Sequence, residues 1–128
     1  MKLGISSYTY SWAVGVPGHP PARPLDENGL FDKAREHDVT LLQISDNLPL
    51  HTFDPARLDR LARRAAHEGI LLEIGARRLT LERAAEYIAI ARRVGAKLIR
   101  FVIDDADYHP VPAAVTRPAV PAPITMAL

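Results

Sequence analysis

Three short segments constrain this chain more than anything else in it. Leu41–Ser45 reads LLQIS, Leu71–Gly75 reads LLEIG and Leu98–Val102 reads LIRFV. Each is a nearly unbroken apolar run, the mark of a strand buried in a parallel sheet. Each carries one polar residue at the same place: Gln43, Glu73 and Arg100. Between them lie two amphipathic helices. The first opens at Asp54-Pro55, an N-cap followed by proline at the first helical position, and closes at Gly69. Its apolar face is Leu58, Leu61, Ala62, Ala65 and Ala66. The second opens at Thr80, with Glu82 near the positive end of its dipole, and closes at Gly95. Ala84, Tyr87, Ile88, Ala91 and Val94 line one side of it. A period of about 30 residues built this way is a βα repeat, which buries its faces only against neighbours. Strands joined by helices over so short a span are parallel, with right-handed crossovers.

Upstream, Lys2–Ser7 reads as a first strand, and Tyr8, Tyr10 and Trp12 follow it directly. These aromatics form a pocket wall or plug one end of the core; the sequence leaves both open. Residues 13–25 hold Gly15, Gly18 and four prolines and read as loop. A helix is expected over Asp26–His37, with Leu30, Phe31 and Ala34 inward. The order is therefore four strands with three helices between them. Past Tyr108 the character changes. Five of the eleven prolines fall in residues 109–128, and no acidic residue lies beyond Asp107. So many prolines break both helical and strand patterns, and residues 109–128 read as a disordered or loosely packed tail.

The polar mid-strand residues bear on how the sheet closes. In the third and fourth strands one face is wholly apolar and suits helices, whereas Glu73, Arg100 and Asp104 fall on the other. An open doubly wound sheet would bury those charges under a second helix layer, at a cost of several kcal/mol unless paired. A (βα)8 barrel accepts them in its lumen near the catalytic end. No glycine-rich phosphate loop follows the first strand. Half of a barrel is the preferred reading.

Totals exclude several functions. Sixteen basic and fifteen acidic residues give a net charge of +1, which argues against a nucleic-acid binder. With no cysteine there is no disulfide and no thiolate metal site. No apolar signal region or membrane-length run is seen, so a soluble cytoplasmic protein without membrane contact is expected.

KLGISSYTYSW, LLQISDNLPLH, ILLEIGAR and KLIRFVIDD together resemble the sugar phosphate isomerase/epimerase family. That family has the xylose isomerase-like TIM barrel and includes relatives of the tagatose epimerases and of endonuclease IV. The resemblance covers the first four strands, so residues 1–108 are expected to be the N-terminal half of such a barrel. It implies metal-dependent isomerisation or epimerisation of a sugar or sugar phosphate by proton transfer next to a carbonyl. The family's divalent metal is held by two Glu, one Asp and one His from later strands. None of those positions is present here, so no cofactor, metal ligand or catalytic residue is assigned to this chain. The acid-free, Ala- and Pro-rich tail, with thirteen Arg against three Lys, suggests a truncated or frameshifted copy, inactive alone.

The residues expected to touch substrate are Tyr8, Trp12, Gln43, His51, Glu73 and Arg100. For Gln43, Glu73 and Arg100 the competing reading is a lumenal ion pair between Glu73 and Arg100 bridged by Gln43. Asp46 and Asn47 contact a sugar or bond their own backbone in a turn. Asp104 is placed to pair with Arg100. Arginines 57, 60, 63, 64, 92 and 93 read as solvated outer helix surface. The alternative to an enzyme is a non-catalytic half barrel that forms a homodimer or aggregate through exposed edge strands, the first and the fourth.

Overall fold

The computed structural model describes residues 1–104 and 125–127, and they form one parallel sheet with helices on one side. In chain order the elements are β1 (Gly4–Ser6), a 3-10 turn over Ser7–Tyr10, α1 (Ser11–Val14), α2 (Glu27–Glu36), β2 (Leu41–Ile44), a 3-10 turn over Leu50–Thr52, α3 (Pro55–Glu68), β3 (Leu71–Arg77), α4 (Leu81–Val94), β4 (Leu98–Val102) and β5 (Thr125–Ala127). The strands lie side by side in sequence order and every pairing is parallel. This is the topology of half a (βα)8 barrel, as the repeat predicts.

The helices start and stop where their ends are chemically satisfied. Asp26, Asp54 and Thr80 each accept a hydrogen bond from the backbone N–H three residues on, at Gly29, Arg57 and Arg83. Gly69 and Gly95 close α3 and α4 in the left-handed conformation, with φ of 66° and 73°. Alternate strand residues then build the core. Leu42, Ile44, Leu72, Ile74, Ala76, Ile99 and Phe101 point at the helices and are buried against Leu30, Phe31, Leu58, Leu61, Tyr87 and Ala91. Along α4, Ile90 is buried while Ile88 only half is, and in α3 Ala66 is exposed; the inward stripes are turned slightly from the expected ones.

Three differences from the sequence reading stand out. A fifth strand, β5, pairs with β4, so β1 and β5 are the sheet edges and β4 is not. Three residues suffice for this pairing because the neighbour supplies the ladder, whereas the proline-rich pattern around them carries no strand signal of its own. The rest of the expected tail, through residue 124, and the boundary at 108 lie outside the described residues. A short helix, α1, stands at the entrance to the expected loop. Finally, Arg100 does not share a level with Glu73. The register puts Gln43 beside Glu73, but Glu73 beside Leu98, and Arg100 beside Gly75.

Candidate functional site

The C-terminal strand ends converge on one cluster of polar side chains. Tyr8 follows β1, Asp46 follows β2, Arg77 ends β3 and Asp104 follows β4. The Tyr8 hydroxyl donates to Asp46 Oδ2 at 2.8 Å. Arg77 Nη1 lies 3.8 Å from the same oxygen. Arg77 Nη2 donates to Asp104 Oδ1, and its Nε reaches Asp104 Oδ2 at 3.4 Å. One guanidinium thus bridges two carboxylates from different strands. The hydrogen bond from Arg77, backed by its charge, holds the Asp104 carboxyl below the ordinary carboxylate range. Burial and the hydrogen bond to Asp46 push the Tyr8 phenol up, so Tyr8 remains a donor.

Backbone geometry explains the convergence. Ser6 caps the 3-10 turn that swings Tyr8 over the sheet. The buried Ser7 hydroxyl accepts from Ser45 N at 2.9 Å and donates to Asn47 Oδ1 at 2.6 Å. Asn47 Nδ2 donates back to the Ser7 carbonyl at 3.1 Å. Asp46 and Asn47 therefore clamp the exit of β1 rather than their own turn, a correction that only strand adjacency reveals.

Beside the cluster lies a groove of about 560 Å³, lined among others by Tyr8, Ser11, Val14, Pro21, Asp46 and Arg77. Trp12, 70 % exposed, lies outside this lining: it flanks a neighbouring cleft of about 410 Å³ with Tyr8, Thr9, Tyr10 and Ser11, and the His19 ring is 5.9 Å away. Below the cluster, on the helix-free face, is a polar layer. The Ser6 and Ser45 hydroxyls each lie 3.3 Å from Gln43 Oε1, and Gln43 Nε2 donates to Glu73 Oε2 at 3.2 Å.

The expected substrate contacts therefore divide. Tyr8 borders the groove, Trp12 lines the neighbouring cleft, and Gln43 and Glu73 form the polar layer below the cluster. Arg100 is on the same face but exposed; the expected Glu73–Arg100 ion pair is not made, and Asp104 pairs with Arg77 instead of Arg100. His51 lies apart, in the β2 exit loop. Its Nδ1 is 3.1 Å from the Tyr87 hydroxyl, and it lines a separate cleft of about 400 Å³ with Arg78, Thr80, Glu82, Arg83 and Glu86. Burial and the nearby Arg83 charge hold its pKa below the ordinary histidine value. Sequence reasoning passed over Arg77. Its position, one step past an apolar strand run, was the available signal.

Among the described residues no group of three or more His, Asp or Glu side chains is placed to hold a metal ion. No helix among the described residues is long and apolar enough to cross a membrane.

A curated relative is the 3-oxo-isoapionate decarboxylase of Pectobacterium atrosepticum. The two are 30% identical over 112 residues, which cover 86% of this chain and 39% of that protein. The chain thus spans well under half of that relative's length. The similarity supports the xylose isomerase-like TIM-barrel superfamily and does not reach the isomerase/epimerase family within it. No family model matches the chain, and no solved structure does.

Proposed function

We propose that this chain forms the substrate-binding wall of a xylose isomerase-like enzyme acting on a sugar, a sugar phosphate or a sugar-derived acid. One observation carries the reading. Four consecutive strand ends deliver Tyr8, Asp46, Arg77 and Asp104 into a single hydrogen-bonded cluster at the end of the sheet where βα barrels hold their substrates. Paired donors and acceptors on rigid strand ends match the vicinal hydroxyls of a carbohydrate, and the exposed Trp12 ring offers a face for its C–H surface. Isomerisation, epimerisation and loss of CO₂ from a 3-oxo acid all build negative charge on a carbonyl oxygen. A wall that orients the polyol would serve each of them. Tyr8, Trp12, Gln43 and Glu73 border the bound molecule in this reading, with Asp46 and Arg77 added. Arg100 lies on the same sheet face as Gln43 and Glu73, and His51, in its separate cleft, takes no part in this reading. In this reading the proton-transfer groups and any metal belong to later barrel strands than the five described.

Trp12 is the sole tryptophan, so intrinsic fluorescence reports on the cleft it shares with Tyr8 and Ser11, two residues that also line the groove. Titration of the full chain with xylose, fructose and gluconate should quench or shift that emission saturably. Arg77→Ala should weaken the response about tenfold, the loss of a charge-assisted hydrogen-bond donor. A flat titration with all three probes, or one that Arg77→Ala leaves unchanged, would sink the reading.

A further inference from the structure

The groove beside the strand-end cluster has two unlike walls. One is built from the end of α1 and the segment after it, which contribute Val14, Val16, Pro17, Pro20, Pro21 and Pro24 and no charge. The other is the cluster itself, with Tyr8, Asp46, Asn47 and Arg77. Among the described residues the only charged groups in the lining are therefore Asp46 and Arg77.

These two charges are not equally available to a ligand. Arg77 turns Nε and Nη2 toward Asp104, and only Nη1 is left, 3.8 Å from Asp46 Oδ2. A guanidinium grips a carboxylate or phosphate best through two parallel N–H groups, and Asp104 already occupies that edge. Arg78, the next residue, lines the His51 cleft and not this groove. Asp46 is the opposite case. Its side chain is only 10 % exposed, and its Oδ2 accepts from the Tyr8 hydroxyl. Among the described residues its Oδ1 accepts no hydrogen bond. A carboxylate oxygen so far out of water gains most from a donor that a ligand brings. Two carboxylates share one guanidinium here, so the cluster of Asp46, Arg77 and Asp104 carries one net negative charge.

We infer that the part of the ligand held in this groove is uncharged: a hydroxyl donates to Asp46 Oδ1, and an aliphatic face rests on the valine and proline wall. The inference rests on the carbohydrate reading above and narrows it, for this groove, to a neutral polyol end. A carboxylate or phosphate placed here would bring acceptors to an acceptor. It would also meet the net negative charge of the cluster in a partly desolvated site, where repulsion is poorly screened. A hydroxyl supplies the missing donor at no such cost, and its neighbouring C–H groups leave water against Val14 and the prolines.

Sorbitol and gluconate share a carbon chain and differ at one terminal group, a hydroxymethyl against a carboxylate. Titrating the isotope-labelled full chain with each, and following the amide NMR shifts of Val14, Val16, Asp46 and Asn47, reads occupancy of the groove itself. Sorbitol should bind about tenfold more tightly than gluconate or better, with the gap shrinking as salt is added. Asp46→Asn removes the charge and keeps the shape, and should close most of that gap, chiefly by strengthening gluconate. Asp104→Asn leaves the lining untouched, releases the Arg77 fork, and should narrow the gap as well. The two variants act independently, so a loss of folding in one, seen by far-UV circular dichroism, leaves the other to decide. No shift with either ligand would overturn both this inference and the carbohydrate reading. Gluconate binding as tightly as sorbitol, or a gap that neither variant narrows, would overturn the inference alone and leave that reading standing.

Discussion

His51 shows how a single side chain can be misplaced by its position in the chain. It leaves β2 at the end of the sheet where substrates bind, yet it turns toward α4 and rests on Tyr87. Tyr87 is fully buried, and its ring meets Phe101 edge-on at 6.1 Å. Burial raises its phenol pKa, which keeps the hydroxyl protonated. His51 is held neutral by partial burial and by Arg83. The unfolded chain therefore takes up a proton near pH 6.5 that the folded chain resists. By linkage the His51 contribution is complete above that value and shrinks as pH falls below it. The imidazole is largely open to solvent, so the effect is small. Melting temperatures should fall between about pH 7 and 5 more steeply for the wild type than for His51→Gln, as thermal scans at each pH would read. Equal slopes would mean that His51 titrates as it does in the unfolded chain.

Elements here depend on how closely the backbones approach. Gly4 pairs with Leu41, and a Cβ on Gly4 would sit 2.7 Å from both the Leu41 carbonyl oxygen and the Leu41 Cβ. The carbonyl cannot give way without opening the β1–β2 ladder. β1 has only three residues, so it has little else to hold it. Gly4→Ala should destabilise the chain by about 1–3 kcal/mol, the usual range for overpacking. It should also release Tyr8 from Asp46, since the turn that carries Tyr8 grows directly from β1. Urea denaturation followed by Trp12 fluorescence reports both effects, and an unchanged midpoint would show that the edge strand can shift to accept the methyl group. The repeat in LLQIS, LLEIG and LIRFV specified β2, β3 and β4 and the helices between them, because buried strands and capped helices leave local patterns. It did not specify β5, whose three residues gain their conformation from β4 alone.

At the scale of the whole molecule, three of the six arginines expected on the outer helix surface, Arg57, Arg64 and Arg93, prove to be ties between helices, while Arg60, Arg63 and Arg92 are exposed as expected. Arg57 on α3 grips the buried Glu27 on α2 through Nε at 2.7 Å and Nη2 at 2.6 Å, with its guanidinium 3.6 Å above the Phe53 ring. Arg64 joins Asp32 on α2 to Glu68, and Arg93 on α4 joins Asp59 on α3. Of these carboxylates Glu27 is the most buried, so its pair with Arg57 carries the most weight; the Arg93–Asp59 pair, exposed on both sides, contributes little. Glu27→Ala should cost about 2–3 kcal/mol, toward the low end for a broken buried pair because Arg57 can turn to water. Arg93→Ala should cost under about 1 kcal/mol. Chemical denaturation of the two variants distinguishes them, and equal losses would contradict the ranking by burial.

Local pattern alone determined that this chain is a parallel βα repeat with one apolar sheet face, since propensity, capping and periodicity act within a few residues. Which polar groups meet was decided only by tertiary structure. Asp46 finds Tyr8, Arg77 finds Asp104 and Glu73 fails to find Arg100, because strand order and register set those distances. A shift of two residues in β4 against β3 moves a side chain about 7 Å, more than a hydrogen bond can span, and no periodicity within either strand records it.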